Sequence, residues 1–120
     1  MNIEQAQAFA EEWIAAWNSH DLDRILSHYE DDFTMASPMI VQSMHEPSGQ
    51  LAGKEAVALY WAKALDRYPD LHFEILHVLA GAGSVTIVYR GVRGLSAEVF
   101  HFADSGKVLA AYAHYIVDLS

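Results

Sequence analysis

At 120 residues the chain has room for one compact domain, and 52% hydrophobic with 19% charged residues excludes a disordered or low-complexity polymer. Sixteen Asp and Glu against seven Lys and Arg give a formal charge of -9, a field that repels phosphate backbones and anionic lipid, so neither nucleic acid nor a membrane surface is an expected partner. Cysteine is absent, the opening segment MNIEQAQAFAEEW is acidic rather than basic, and no uncharged apolar run reaches the ~18 residues of a membrane span; a soluble, cytoplasmic protein without disulfide chemistry is expected.

Ile3, Ala6, Ala10, Trp13 and Trp17 recur at spacings of three or four, which predicts an amphipathic helix from Ile3 to about Asn18 with Asn2 as its N-cap. Asp21 caps a second, shorter helix whose apolar set is Leu22, Ile25, Leu26 and Tyr29. Phe33 to Ala36 reads as a short strand. Residues 37 to 52 hold two Pro and one Gly and show no clear period, which predicts one long loop. Met39, Ile40, Val41 and Met44 make it too apolar to wave in water, so it is expected to lie over an apolar surface. Gly53 precedes a third helix in which Val57, Tyr60, Trp61, Ala64 and Tyr68 line one stripe before Pro69 ends it.

From Leu71 the texture changes to β-branched and aromatic runs cut by Gly-rich turns, and four strands are expected near 71–80, 84–91, 95–103 and 108–118. Turns this short join antiparallel neighbours, so the strands form a meander. Helices first and strands afterwards define a single α+β domain over residues 1–120, three N-terminal helices packed in the concave face of a curved antiparallel sheet. In the third strand Ser96, Glu98, Phe100 and Phe102 share one side, while Leu95, Ala97, Val99 and His101 share the other. Neither set is a solvent face. Three helices cover one side only, which predicts a homodimer through the outer face, with Val99, His101, Tyr112 and His114 in the contact. Charging the two His there would weaken it, so the dimer fraction is expected to fall at pH 5 relative to pH 8.

If Ser105 and Gly106 are the central residues of a tight hairpin, Glu98 lies opposite Ala113, Phe100 opposite Ala111 and Phe102 opposite Leu109, with Tyr115 diagonal to Glu98. Two alanines beside one acid leave a hollow, faced by Trp13, Trp17 and Trp61 from the helices. A carboxylic acid in such a pocket is either paired with a donor, for which Tyr115 is the candidate, or has its pKa raised by desolvation toward the range useful for proton transfer. A three-residue loop would exchange the faces and turn Glu98 outward. The alternative reading is a structural glutamate tied to Arg90 or Arg93, with the three Trp as plain core. His28 with Asp32 is more simply a solvated pair than a metal site, and the absence of His-Glu-x-x-His, phosphate-loop and Gly-x-Ser-x-Gly patterns predicts no metal, no nucleotide cofactor and no serine nucleophile.

WIAAWNSHDLDRILSHYEDDF, Ser37-Pro38, GKEAVALYW from Gly53, Pro-Asp-Leu-x-Phe at Pro69 to Phe73 and EVFHFADSGKV together resemble the SnoaL-like branch of the nuclear transport factor 2-like superfamily over nearly the whole chain. The resemblance implies a cystatin-like cone enclosing a cavity and dimerising through its outer sheet face. It also sets Trp13, Ser37 and Glu98 at the three catalytic positions of a ketosteroid isomerase, so that only the acid on the third strand is kept in kind. Two functions are therefore expected. One is a cofactor-free isomerase, cyclase or lyase acting on a small apolar molecule, with Glu98 and Tyr115 catalytic and Trp13, Trp17, Ser37, Met39, Trp61 and Phe100 around the substrate. The other is a non-catalytic ligand-binding or dimerisation module, favoured by Ser37 standing where the isomerases carry their base.

Overall fold

The computed structural model describes residues 1–119, and the chain runs α1 (Ile3–Ser19), α2 (Leu22–Leu26), β1 (Tyr29–Ala36), α3 (Pro38–Ser43), β2 (Gln50–Ala52), α4 (Lys54–Arg67), β3 (Glu74–Ala80), β4 (Ser84–Gly91), β5 (Gly94–Phe102) and β6 (Val108–Tyr115). Asn2 caps α1 reciprocally: its side chain accepts from the Gln5 amide at 2.8 Å, and the Gln5 side chain accepts from the Asn2 amide at 2.9 Å. Ala6, Ala10, Trp13, Ala16 and Trp17 form the buried stripe, whereas Ile3 is 76% exposed and lies outside it. The helix stops at His20, whose left-handed φ of 61° turns the chain toward α2.

Two expectations for the first half are corrected. Tyr29 does not belong to α2; that helix ends at Leu26, and Tyr29 is the first residue of β1, its apolar spacing continuing only by coincidence past the end of the helix. The stretch 37–52 is not one loop but holds α3 and β2, so the described residues form four helices rather than three. Ser37 supplies the N-cap of α3 with Pro38 in its first turn, and Ile40 is fully buried. Six residues are too few to show a helical period, so the tertiary burial of Ile40 and Met39 decides the structure.

The sheet order is β2-β1-β6-β5-β4-β3. β3 to β6 form the antiparallel meander, while β1 lies parallel to β6 and antiparallel to β2. Irregularities in the β1–β6, β3–β4 and β5–β6 pairings bend the strands around the helices, with α1 packed on β3 and α4 on β1. The architecture is thus the expected α+β one.

The β5–β6 pairing agrees with the expected register from Ser96 to His101, but by another route. Ala103 N–H donates to Lys107 O at 2.8 Å, so Asp104, Ser105 and Gly106 form a three-residue loop, not a two-residue turn. Left alone, that loop would turn Glu98 outward. One extra residue in β6 cancels it: His101 pairs with Ala110 and Phe102 with Val108, leaving Leu109 unpaired between them. The bulge also exchanges the sides of its neighbours, since Val108 is fully buried and Leu109 is 47% exposed, opposite to the expected parity. On the convex face His101 meets Tyr112 edge-on at 5.7 Å, and Leu95, Tyr112 and Ile116 are exposed.

Candidate functional site

Glu98 occupies the middle of β5, opposite Ala113 on β6 and Ile87 on β4, with its side chain on the concave face and 5% exposed. Removal from water pushes its pKa up to about 8, with no protein hydrogen bond or cation to offset it. At neutral pH the group is therefore mostly a carboxylic acid, able to donate a proton or a hydrogen bond.

Four phenols surround it. Tyr29, Tyr60, Tyr89 and Tyr115 are all driven upward, by burial first and also by the field of Glu98; Tyr115 reaches about 12. They are uncharged O–H groups at any ordinary pH. The Trp13 indole N–H donates to the Tyr29 hydroxyl at 3.2 Å. Tyr60 donates to Ser37 Oγ at 3.4 Å, and the same hydroxyl lies near enough to Tyr115 to counter part of the upward push on its pKa. Ser37 Oγ also accepts from the Met39 amide at 3.1 Å, so the cap of α3 and the orientation of the Tyr60 phenol depend on one side chain.

The aromatic wall is set by a clasp at the start of β3. The Asn18 amide donates to Phe73 O at 3.0 Å and accepts from Phe73 N at 2.7 Å, while His20 Nε2 contacts Leu71 O at 2.7 Å. Phe73 is thereby held against Trp13, rings stacked at 5.7 Å, and beside Trp17 at 5.5 Å. Trp17 meets Trp61 edge-on at 5.2 Å, and its buried indole N–H has no acceptor. Gly91 is needed where β4 ends, because a Cβ there would lie 2.9 Å from the Tyr89 ring and 3.2 Å from that of Phe73.

These side chains enclose a pocket of about 610 Å³, with Trp13, Trp17, Trp61, Phe73, Tyr89 and Glu98 inside and the exposed Lys63, Arg67 and Arg93 among its outer lining. Among the described residues no three His, Asp or Glu converge as metal ligands, and no helix is long and apolar enough to cross a membrane.

Of the residues singled out in the sequence, Trp13, Trp17, Met39, Trp61, Glu98 and Tyr115 line this pocket together. Ser37 stands behind it, 4% exposed, as the anchor of Tyr60. Phe100 does not line it: the ring is fully buried, edge-on to Phe9 at 4.9 Å and to Trp13 at 5.5 Å, in solid core between α1 and the sheet. Among the described residues no hydrogen bond joins Tyr115 to Glu98, although the charge of Glu98 acts on the Tyr115 hydroxyl. Sequence reasoning missed Tyr29, Tyr60, Tyr89 and Arg93 as site residues. The signal for Tyr89 was present: counting back from the Gly91–Gly94 turn puts Tyr89 opposite Ser96 and Ile87 opposite Glu98, all on one face. Arg93 sits in that same turn, beyond the reach of strand parity.

A cone of this architecture, with a buried acid on its third meander strand, is a SnoaL-like domain, and the family model for that domain matches residues 10–115. The chain belongs to that family. It is 57% identical to a SnoaL-like protein of unknown function from Burkholderia thailandensis, over 97% of this chain and 98% of that one, with a TM-score of 0.94. The same fold recurs in a proposed ketosteroid isomerase from Kribbella flavida, at 16% identity over 98% of this chain and 82% of that one with a TM-score of 0.72. It recurs also in a proposed isomerase of the SnoaL-like family from Agrobacterium tumefaciens, at 16% identity over 92% and 97% of the two chains with a TM-score of 0.73. None of the curated proteins matches the sequence.

Proposed function

We propose that the protein is a cofactor-free isomerase, cyclase or related lyase that holds a small, largely apolar carbonyl compound in the pocket and uses Glu98 as its general acid. The observation that carries this reading is the carboxyl at the centre of β5, desolvated, without a protein partner and facing space a ligand can fill. A neutral acid there donates its proton or a hydrogen bond to a carbonyl oxygen and stabilises the enol or enolate that forms when a water molecule in the pocket takes a proton from the adjacent carbon. Tyr89 adds an O–H dipole beside the same point, while Trp13, Trp17, Trp61 and Met39 supply the apolar walls. Ser37 acts through Tyr60, whose hydroxyl it fixes.

A specific observation favours the second reading, ligand binding without turnover. Ser37 Oγ is engaged by the Met39 amide and the Tyr60 hydroxyl, and among the described residues the pocket contains no His and no acid besides Glu98 and the exposed Asp66, so no protein base faces Glu98. Exchange of the α-protons of 2-tetralone in D₂O, followed by NMR, separates the two. Catalysis predicts exchange at least ~100-fold above buffer, lost in Glu98→Gln. Exchange at the buffer rate, with the ketone nevertheless bound, leaves the binding reading standing alone. We also propose that the convex face, with Val99, His101, Tyr112 and His114, meets a second copy of the chain; sedimentation of Tyr112→Glu against the unaltered protein tests it.

A further inference from the structure

We infer that the natural ligand is an anionic amphiphile, a carboxylate on a flat apolar body, whose body lies among the tryptophans and whose charge is met at the mouth by Arg93, with Arg67 and Lys63 beside it. The inference rests on the reading of the pocket as a ligand site and adds the chemical class of what it takes.

The protein as a whole repels anions, yet its cations are not spread evenly. Three of the seven Lys and Arg line this one pocket, against two of the sixteen acids, Asp66 and Glu98. Of the four cations elsewhere, Arg24 forms a two-point pair with Glu12 at 2.7 and 3.0 Å and Lys54 lies 3.4 Å from Asp31, whereas Arg90 and Lys107 stand apart from one another on the surface rather than around a cavity. Among the described residues Lys63, Arg67 and Arg93 have no carboxylate within ion-pair distance. Lys63 reaches only the Ser43 carbonyl at 3.5 Å, and Arg67 lies over the Tyr68 ring at 5.6 Å. Arg93, exposed in the β4–β5 turn, lines the mouth near enough for its charge to act on the hydroxyls of both Tyr60 and Tyr115.

Three guanidinium or ammonium groups stand at the mouth of the pocket, so that end of the site is built to receive acceptor oxygens. Guanidinium favours a planar carboxylate that it can engage at two points. Against a background charge of -9, a local basic mouth is also what captures an anion that the rest of the surface turns away.

The test compares 2-naphthoic acid with its uncharged methyl ester at pH 7.5, each titrated into the full-length protein and followed by quenching of tryptophan fluorescence. The acid is expected to bind at least tenfold more tightly than the ester, with that margin shrinking as salt rises from 20 to 300 mM. Arg93→Gln should remove most of the margin while leaving ester affinity within about twofold. If the acid binds no better than the ester, or if Arg93→Gln leaves its affinity unchanged, the anionic ligand is wrong and the pocket reading survives. If neither probe binds, the pocket reading fails and takes this inference with it. Arg90→Gln, a surface arginine outside the lining, serves as the control for net charge; an equal loss there would show that the effect is general electrostatics and overturn the assignment to Arg93.

Discussion

The inner end and the mouth of the pocket treat charge in opposite ways. Inside, burial favours the protonated form of Glu98 and keeps the nearby phenols neutral. A few residues away, along α4 and in the β4–β5 turn, Lys63, Arg67 and Arg93 stand exposed to water. Residue type alone therefore does not state the chemistry of a site; the same formal charge is suppressed or expressed by depth.

Substitutions at the two ends should separate accordingly, and the inner end should dominate stability. Trp13→Ala removes a fully buried indole and leaves the Tyr29 hydroxyl without its donor, so urea unfolding should show a loss of about 3–5 kcal/mol. Glu98 makes stability depend on pH with a definite sign. The folded carboxyl keeps its proton up to about pH 8, whereas an unfolded glutamate releases it near 4.5, so the folded state binds more protons between those values. Stability from this group is full below 4.5 and declines toward pH 8, by at most ~1.4 kcal/mol per pH unit. Glu98→Gln should flatten that decline, and chemical denaturation at pH 5, 6.5 and 8 would show it; an unchanged slope would place the carboxyl in water.

Smaller effects follow outward. Asn18→Ala strands two backbone groups of Phe73 and should cost about 1–3 kcal/mol, with Trp13 and Trp17 emission shifted as the Phe73 ring loosens. At the mouth, Arg93→Gln should change stability by no more than about 0.5 kcal/mol, since an exposed, unpaired side chain in a turn holds nothing in place. A large loss there would break the contrast between the two ends.

The legible parts of the molecule were those governed by local periodicity. The α1 cap at Asn2, the stripe through Trp13 and Trp17, the Pro69 stop and the alternation of β5 are written in short-range spacing. Tyr29 was misplaced because helical spacing outran the helix, and α3 escaped because six residues carry no period. Glu98 was placed on the correct face although the turn assumed for it was wrong, two deviations having cancelled. Phe100 shares that face yet fills core, since a strand bends away from the hollow along its length and parity is blind to depth. The clasp from Asn18 to Phe73 joins residues 55 positions apart and has no local signature.

The unpaired Leu109 has a consequence for how this hairpin can vary. Shortening the Asp104–Gly106 connection by one residue would, by itself, rotate the pocket acid to the far side of the sheet, and deleting Leu109 by itself would do the same. Removing both would restore it. Length changes at these two places are thus tolerable only as a pair, and a related chain with a tighter turn here should also lack the extra residue that follows it.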